Sequence, residues 1–229
     1  MNILKYKFLF LIVISIDISA IEIKDYIARY SFESDEISIE GIRKLATLGD
    51  GYELSFKAKN IFAKLEFNSS FVISDDQIIT KSYKVKIKPK FVNRDQVVDF
   101  NYEKKLITAL GRNSWNAEFN PSIRVLDPLN AQIQIRLNLL KGIKEFSIKL
   151  VEIKNGVLED NFYKVIGKEL CAVGKKNYEC IVLKRSRKKE GRETIYYLAP
   201  DLDYMFLKII DNGPEQKQKL ELIEILSLG

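Results

Sequence analysis

The sequence offers residues for few kinds of chemistry, because none of its 229 residues is a histidine. Histidine is the commonest general base and metal ligand, so the usual Ser-His-Asp and Cys-His catalytic arrangements are excluded. Acidic residues are plentiful, and catalysis by two carboxylates stays formally open, but no spacing singles out such a pair. The sequence also lacks phosphate-binding loops and zinc-protease motifs. We therefore expect no enzyme, no metal and no cofactor.

Two cysteines, Cys171 and Cys180, lie on either side of a turn signal at 174–177. If Lys175 and Lys176 form the loop of a hairpin, the cysteines lie directly opposite each other, with Cα atoms about 4.5 Å apart. That separation allows a disulfide, which is the pairing we expect. The alternative is two reduced, buried thiols. The spacing excludes a CxxC redox motif, and two thiolates alone make a poor metal site.

The first twenty residues predict export. Lys5 and Lys7 precede an apolar run over 8–16, and Ser19 and Ala20 supply the small residues of a signal-peptide cleavage site. The run is too short for a permanent span, which needs about 20 residues. We expect residues 1–20 to be removed and the remaining chain to be periplasmic, without a permanent membrane span; an uncleaved anchor is the alternative. An oxidising periplasm also favours the disulfide.

The densest positive run occupies residues 184–192 and predicts a hairpin tip near Gly191. An exported chain seldom meets nucleic acid, so we expect no nucleic-acid partner. The remaining interpretations are contact with an anionic lipid or lipopolysaccharide phosphate, and a solvated hairpin end. The candidate residues for anionic contact are Lys184, Arg185, Arg187, Lys188, Lys189 and Arg192.

Period-two alternation dominates the chain after the leader. Over 61–73 the odd positions are mostly apolar and the even positions mostly polar, as a half-buried strand requires. Turn signals recur at short intervals and bound each run. The pattern predicts a single mainly β domain over 21–229, built as a curved antiparallel meander (an open barrel or β-roll) of about ten to twelve strands.

Two neighbouring strands, joined by a turn at 74–77, share an apolar face, with Lys81 as an exception to the alternation. This face is either ordinary core or the wall of a cavity for an apolar ligand, and we favour the core. Its residues, the candidate apolar binding face, are Leu65, Phe67, Phe71, Ile73, Tyr83, Val85 and Ile87. Later strands near 180–183 and 194–199 are apolar in both phases, which requires cover on both sides.

One segment has helical spacing. Asp127 is a good N-cap residue, and Pro128 suits the first helical position. Apolar residues then recur every three or four positions, and Lys141 and Gly142 supply a basic last turn and a glycine stop. The pattern predicts a helix over 128–141 that packs against the sheet and plugs an open end. Just before it, Trp115 is either a surface contact or a lid folded back on the core.

Several segments resemble a known bacterial family, the "domain of unknown function 3108" family of exported envelope proteins. The segments are 127–136 (DPLNAQIQIR), 192–202 (RETIYYLAPDL) with the following Tyr204, 51–54 (GYEL) and 98–100 (VDF). Tyr197 stands where the family often has Trp, and Phe206 where Pro is common. The resemblance implies a curved antiparallel sheet in the envelope and brings no catalytic residues with it.

Three functions from different classes remain open at this point. The first is a non-catalytic binder or carrier of an apolar or amphipathic envelope molecule such as a lipid. The second is an envelope assembly or protein-interaction factor that acts through a sheet edge and the basic hairpin 184–192. The third, which we regard as the least supported, is a glycan-cleaving enzyme with two carboxylates. An open cavity favours the first function, and a filled core with an apolar surface patch favours the second.

Overall fold

A computed structural model describes residues 23–89, 95–187, 191–214 and 217–229. The predicted signal peptide over 1–20 lies outside these residues, as do Lys188 and Lys189. Within the described ranges, no helix has the length and apolar character that crossing a membrane requires. The predicted mainly β class is confirmed, since fifteen strands form one sheet.

The strands and the α-helix follow one another as expected for a meander with one helical insertion. The first eight strands are β1 Tyr26–Ser34, β2 Ser38–Leu48, β3 Gly51–Lys59, β4 Ala63–Ser74, β5 Gln77–Pro89, β6 Gln96–Asn101, β7 Leu106–Gly111 and β8 Trp115–Glu118. The short strand β9 Val125–Leu126 precedes the helix α1 Ala131–Leu140. The last six are β10 Glu145–Val151, β11 Leu158–Val173, β12 Lys176–Ser186, β13 Glu193–Ala199, β14 Met205–Asn212 and β15 Lys217–Leu228. A 3₁₀ turn, Pro200–Leu202, links β13 to β14.

The sheet consists of two meanders joined by the first and last strands. Its spatial order is β8-β7-β6-β5-β4-β3-β2-β1-β15-β14-β13-β12-β11-β10-β9. Strand β1 pairs antiparallel with β15, and Tyr26 lies opposite Leu228. The short strand β9 pairs parallel with β10. The fifteen strands exceed the predicted ten to twelve, partly because β8 and β9 are short strands that sequence alternation does not show.

The helix α1 lies on the inner side of the curved sheet and is buried around its circumference. Seven of its ten residues are buried, among them Ile133, Ile135 and Leu137. A helix buried on all sides belongs to the interior of a protein. Gln134 fixes it to β5, because its Oε1 accepts a hydrogen bond from the backbone N–H of Ile78 at 2.8 Å. The predicted helix packed against the sheet is therefore present.

The start of the helix differs from the prediction. Regular α-helix begins at Ala131, preceded by a turn. The Asp127 carboxylate nevertheless caps this turn, since Oδ1 accepts hydrogen bonds from the backbone N–H groups of Leu129 (2.7 Å) and Asn130 (2.9 Å). Its Oδ2 accepts a third bond from Ser69 at 2.6 Å. Asp127 therefore has the predicted capping role, and its side chain also connects the start of the helical segment to β4.

A β-bulge explains the exception at Lys81. Ser70 pairs with Ser82, but its neighbour Phe71 pairs with Thr80, so Lys81 is the extra residue on β5. A bulge changes the phase of the side chains on either side of it. Thr80 and Ile78 are fully buried before the bulge, in the phase opposite to that of Tyr83 after it.

The disulfide between Cys171 and Cys180 is confirmed, but the register predicted around it is wrong. Cys171 pairs with Tyr178, and Cys180 pairs with Glu169, so the cysteines are diagonal neighbours with Cα atoms 6.1 Å apart. Gly174 lies in the loop with φ of +57°, a conformation that glycine adopts without strain. The shift is two residues, and an even shift keeps both cysteines on one face of the sheet.

Candidate functional site

A cavity of about 340 Å³ lies at the rim of the curved sheet, where β10, β12 and β14 end and β11, β13 and β15 begin. Strands β10 to β15, together with β1 and the turn before α1, supply its lining. Asn161, Thr194 and Tyr196 are buried and form its floor, whereas Glu152 and Glu159 are exposed at its rim. We call this space the mouth cavity.

Three of the six basic residues predicted for anionic contact line the mouth cavity: Arg185, Arg187 and Arg192. Successive residues of a strand point to opposite faces, so Arg185 and Arg187 share the inner face with the buried Leu183. Lys184 lies on the opposite face, where its ammonium pairs with Glu193. The described part of this basic run is therefore divided, with Arg185 and Arg187 facing inward and Lys184 facing outward.

Arg185 is held by neutral groups. Its Nε donates a 2.8 Å hydrogen bond to Oδ1 of Asn161, and its Nη1 lies 3.5 Å from the hydroxyl of Tyr196. Burial lowers the pKa of the guanidinium, but the neighbouring Tyr196, Tyr163 and Asp211 outweigh this effect and raise it. Arg185 therefore keeps its positive charge on the cavity wall, and no carboxylate of the described residues contacts it directly.

Arg187 and Arg192 share one carboxylate, that of Asp211. Arg192 binds it through Nη2 (2.6 Å to Oδ2) and Nε (3.1 Å to Oδ1), a bidentate arrangement. Arg187 Nη2 lies 3.7 Å from Oδ2 and 3.3 Å from the hydroxyl oxygen of Thr194. Burial raises the pKa of Asp211, but the hydrogen bonds and charges of the two arginines outweigh it and lower that pKa. Asp211 is therefore an anion.

The inner wall of the cavity has more positive than negative charge. Asp211 is the one acidic residue among the lining positions that is not exposed, and it faces three arginines. The Nε atom of Arg187 is buried and has no hydrogen-bond partner in the part of the chain that the structure describes. Burial lowers the pKa of Arg187, and the charges of Arg185 and Arg192 lower it further. An anionic group placed beside Arg187 would relieve this repulsion and satisfy the free N–H.

Apolar side chains supply the remaining walls. Leu150 and Val151 are buried at the end of β10, and Ile153 follows them in the next loop. Ile209 and Leu220 contribute from β14 and β15. Apolar side chains beside converging polar and charged groups are the composition expected of a site for an amphipathic molecule.

Trp115, on the terminal strand β8 of the sheet, contacts a residue that lines the mouth cavity. Its indole Nε1 donates a 3.0 Å hydrogen bond to the carbonyl oxygen of Ile153, a lining residue. The ring also packs on Gly156, where a Cβ atom would come within 2.4 Å of Trp115 Cε3. Trp115 therefore folds back against the protein, in keeping with the lid interpretation.

The seven residues of the candidate apolar face lie on the inner side of β4 and β5, apart from the mouth cavity. Leu65, Phe71, Tyr83 and Val85 are buried. The other three, Phe67, Ile73 and Ile87, are half-buried and pack against the core. The two strands bring this face together as predicted, with Phe67 opposite Val85. Its neighbours are core side chains, which supports the filled-core alternative for this face.

The floor residues Asn161, Thr194, Tyr196 and Asp211 were not predicted. The sequence gives no signal for Thr194 and Tyr196, because the segment 194–199 is apolar in both phases and the burial of this one phase appears only in the structure. Their meeting with Asp211 depends on the pairing of β13 with β14, in which Thr194 lies opposite Asp211. The distribution of charged residues in the sequence does not predict that strand pairing.

The sequence profile of a family described as "Protein of unknown function (DUF3108)" matches residues 33–220. The chain belongs to the DUF3108 family. The resemblance seen in the sequence is thereby confirmed, and the match includes the helix and the strands β10 to β14 of this DUF3108 protein. A comparison with curated proteins finds no match.

The fold of the DUF3108 chain is similar to that of a solved structure from Brucella abortus, titled a beta-barrel-like protein of the domain of unknown function DUF1849. The TM-score is 0.60 at 9% sequence identity, and the alignment covers 91% of this chain and 99% of that one. At such a low sequence identity, the structural similarity shows a shared fold alone. It agrees with the predicted open barrel.

Proposed function

We propose that this protein is a non-catalytic binding protein of the cell envelope, periplasmic after removal of residues 1–20, and that its mouth cavity holds an amphipathic molecule by an anionic group. The observation that supports this function is the convergence of Arg185, Arg187 and Arg192 on a cavity that has apolar walls. Anionic head groups of phosphate or carboxylate chemistry suit paired guanidinium groups.

The size of the cavity sets how much of a ligand it holds. Its 340 Å³ lies near the lower end of the usual range for ligand sites, about 300–1,000 Å³. A head group and the first part of an acyl chain fit such a space. The helix α1 occupies the interior beyond it, so the rest of a long chain would lie along the rim.

Two observations favour a binding protein over the other functions considered. Arg185, Arg187 and Arg192 line the cavity and Lys184 pairs with Glu193, so the positive charges that the structure describes within 184–192 do not favour a protein partner on the outer face. Asp211, the half-buried acid of the site, is engaged by arginines rather than by a second carboxylate. Two-carboxylate glycan cleavage needs such a pair.

The experiment uses the single tryptophan, which contacts the cavity-lining Ile153. Trp115 fluorescence is followed while a single-chain anionic phospholipid, or a zwitterionic phospholipid of the same chain, is added. We expect a saturable change with the anionic lipid and at least tenfold weaker binding for Arg187→Met, since a hydrogen bond to a charged group is worth about 1.5–3 kcal/mol. Lys184→Met is the matched control on the opposite face of the same strand and should bind like wild type.

Equal binding of the two lipids, or equal binding by Arg187→Met and wild type, would contradict the proposed role of the arginines. Absence of any saturable change with anionic lipids and fatty acids would contradict the proposed binding function itself.

A further inference from the structure

Two other arginines lie in the interior, away from the mouth cavity. Arg43 on β2 has 1% of its surface exposed, and Arg136 on α1 has 2%. Neither lines the mouth cavity. Guanidinium groups remain charged in proteins, so two positive charges are enclosed between the helix and the inner face of the sheet.

Arg43 contacts neutral groups among the described residues. Its Nε donates a 2.8 Å hydrogen bond to the hydroxyl oxygen of Tyr26. Its guanidinium carbon lies 5.8 Å from the ring centroid of Tyr30 and 5.9 Å from that of Phe206. These cation–π contacts offset part of the cost of burying the charge, but the N–H donors at Nη2 have no acceptor among the described residues.

Arg136 is in the same situation. Its Nε donates a 2.9 Å hydrogen bond to the backbone carbonyl of Asp203, and its guanidinium lies 5.6 Å from the ring centroid of Tyr26. The Asp203 carboxylate is part-exposed and lies 3.9 Å from the ammonium of Lys24. The Nη1 atom of Arg136 is buried, and no residue within the described ranges forms a hydrogen bond with it.

Tyr26 brings the two arginines together, because its hydroxyl contacts Arg43 and its ring lies against Arg136. Burial lowers the pKa of Arg136 more than the neighbouring Tyr26, Tyr30 and Asp203 raise it, and the charge of Arg43 adds to the lowering. Two like charges and two guanidinium nitrogens without acceptors, enclosed together, lower the stability of the folded protein unless an anion binds beside them.

We propose that Arg43 and Arg136 form a buried site for a small inorganic anion of halide size. Nη2 of Arg43 and Nη1 of Arg136 donate to the anion, and the aromatic rings of Tyr26, Tyr30 and Phe206 enclose the two guanidinium groups. A small ion suits this place better than a lipid head group, because both side chains are almost completely covered by protein. The anion would stabilise the packing of α1 on β1 and β2.

The direct test is a crystal of the wild-type protein grown with sodium bromide, measured at the bromine absorption edge. We expect an anomalous peak within hydrogen-bonding reach of both guanidinium groups. A water molecule, or no density, at this place in the bromide crystal would overturn the proposal.

Thermal unfolding tests the site in solution. The wild-type protein should have a higher midpoint temperature in sodium chloride than in sodium gluconate of the same ionic strength, because the larger anion does not fit. Arg43→Met or Arg136→Met should lose this difference. Arg29→Met, at an exposed position of β1 paired with Glu224, is the control and should retain it. An equal difference in all of these proteins would contradict the buried site.

Discussion

Trp115 and Ile153 join the two ends of the sheet. Trp115 begins β8, the strand at one end of the spatial order, whereas Ile153 follows β10, next to the strand at the other end. The hydrogen bond from the indole Nε1 to the Ile153 carbonyl oxygen is 3.0 Å long. The sheet therefore curves far enough for its ends to meet beside the mouth cavity.

Two substitutions of Trp115 should separate the contributions of its hydrogen bond and of its packing to the stability of the protein. Trp115→Phe keeps an aromatic ring and loses the hydrogen bond, at a cost of about 1 kcal/mol. Trp115→Ala also loses the packing on Gly156 and should cost about 3 kcal/mol in free energy of unfolding. Urea unfolding followed by circular dichroism measures both. A Trp115→Ala protein as stable as wild type would show that the ends of the sheet are held elsewhere.

Asp127 should make stability depend on pH. Burial raises its pKa to about 7 from the ordinary 3.8, although hydrogen bonds from Ser69, Asn130 and Leu129 oppose the shift. Between these pH values the folded state binds more protons than the unfolded state. The contribution of Asp127 to the free energy of unfolding is therefore complete below the lower value and falls as the pH rises toward the higher one.

Asp127→Asn tests this contribution. The amide oxygen can still accept from the N–H groups of Leu129 and Asn130, and the amide nitrogen can donate to Ser69. We expect the stability of the variant, relative to wild type, to increase as the pH rises from about 4 to about 7. Asp99→Asn, at an exposed position of β6, is the control. A variant whose stability runs parallel to that of wild type across this range would contradict the raised pKa.

The disulfide between Cys171 and Cys180 should contribute about 2–3 kcal/mol, because its loop is short. Cys171→Ser with Cys180→Ser should lower the free energy of unfolding by that amount and leave the fold intact. Equilibrium unfolding measures the difference. Thiol titration of the denatured wild-type protein without reductant should find no free thiol, and two free thiols would contradict the bond.

Phe67 distinguishes core packing from ligand binding. Its half-buried ring packs on Phe56, with ring centroids 6.4 Å apart. Phe67→Ala should cost about 2–3 kcal/mol, less than a fully buried phenylalanine, and should leave anionic-lipid binding at the mouth cavity unchanged. Loss of lipid binding without loss of stability would instead make the β4–β5 face a ligand wall.

Local patterns predicted the elements of this fold better than their long-range pairings. The cap residue Asp127 and the disulfide were both visible in the sequence, because each depends on a few neighbouring residues. The bulge at Lys81 was visible as an exception to alternation. The pairing of β1 with β15 was not, since it joins segments nearly the whole chain apart and no local pattern specifies it.

The candidate site shows the same limit. The positive run 184–192 is evident in the sequence, but its division into Lys184 outside and Arg185 and Arg187 inside depends on which face of β12 is covered. That face is set by the contacts of the neighbouring strands with the core. Asp211 and Asn161 reach the arginines from other strands, so spacing in the sequence cannot reveal them.

Native mass spectrometry of the protein purified from its own periplasm tests the central claim most directly. We expect the wild-type protein, without residues 1–20, to retain an amphipathic molecule that bears a phosphate or carboxylate, and the Arg185→Met, Arg187→Met double variant to lack it. A wild-type protein with the bare mass of its chain, which also takes up no anionic lipid when one is added, would contradict the claim that the mouth cavity is a binding site.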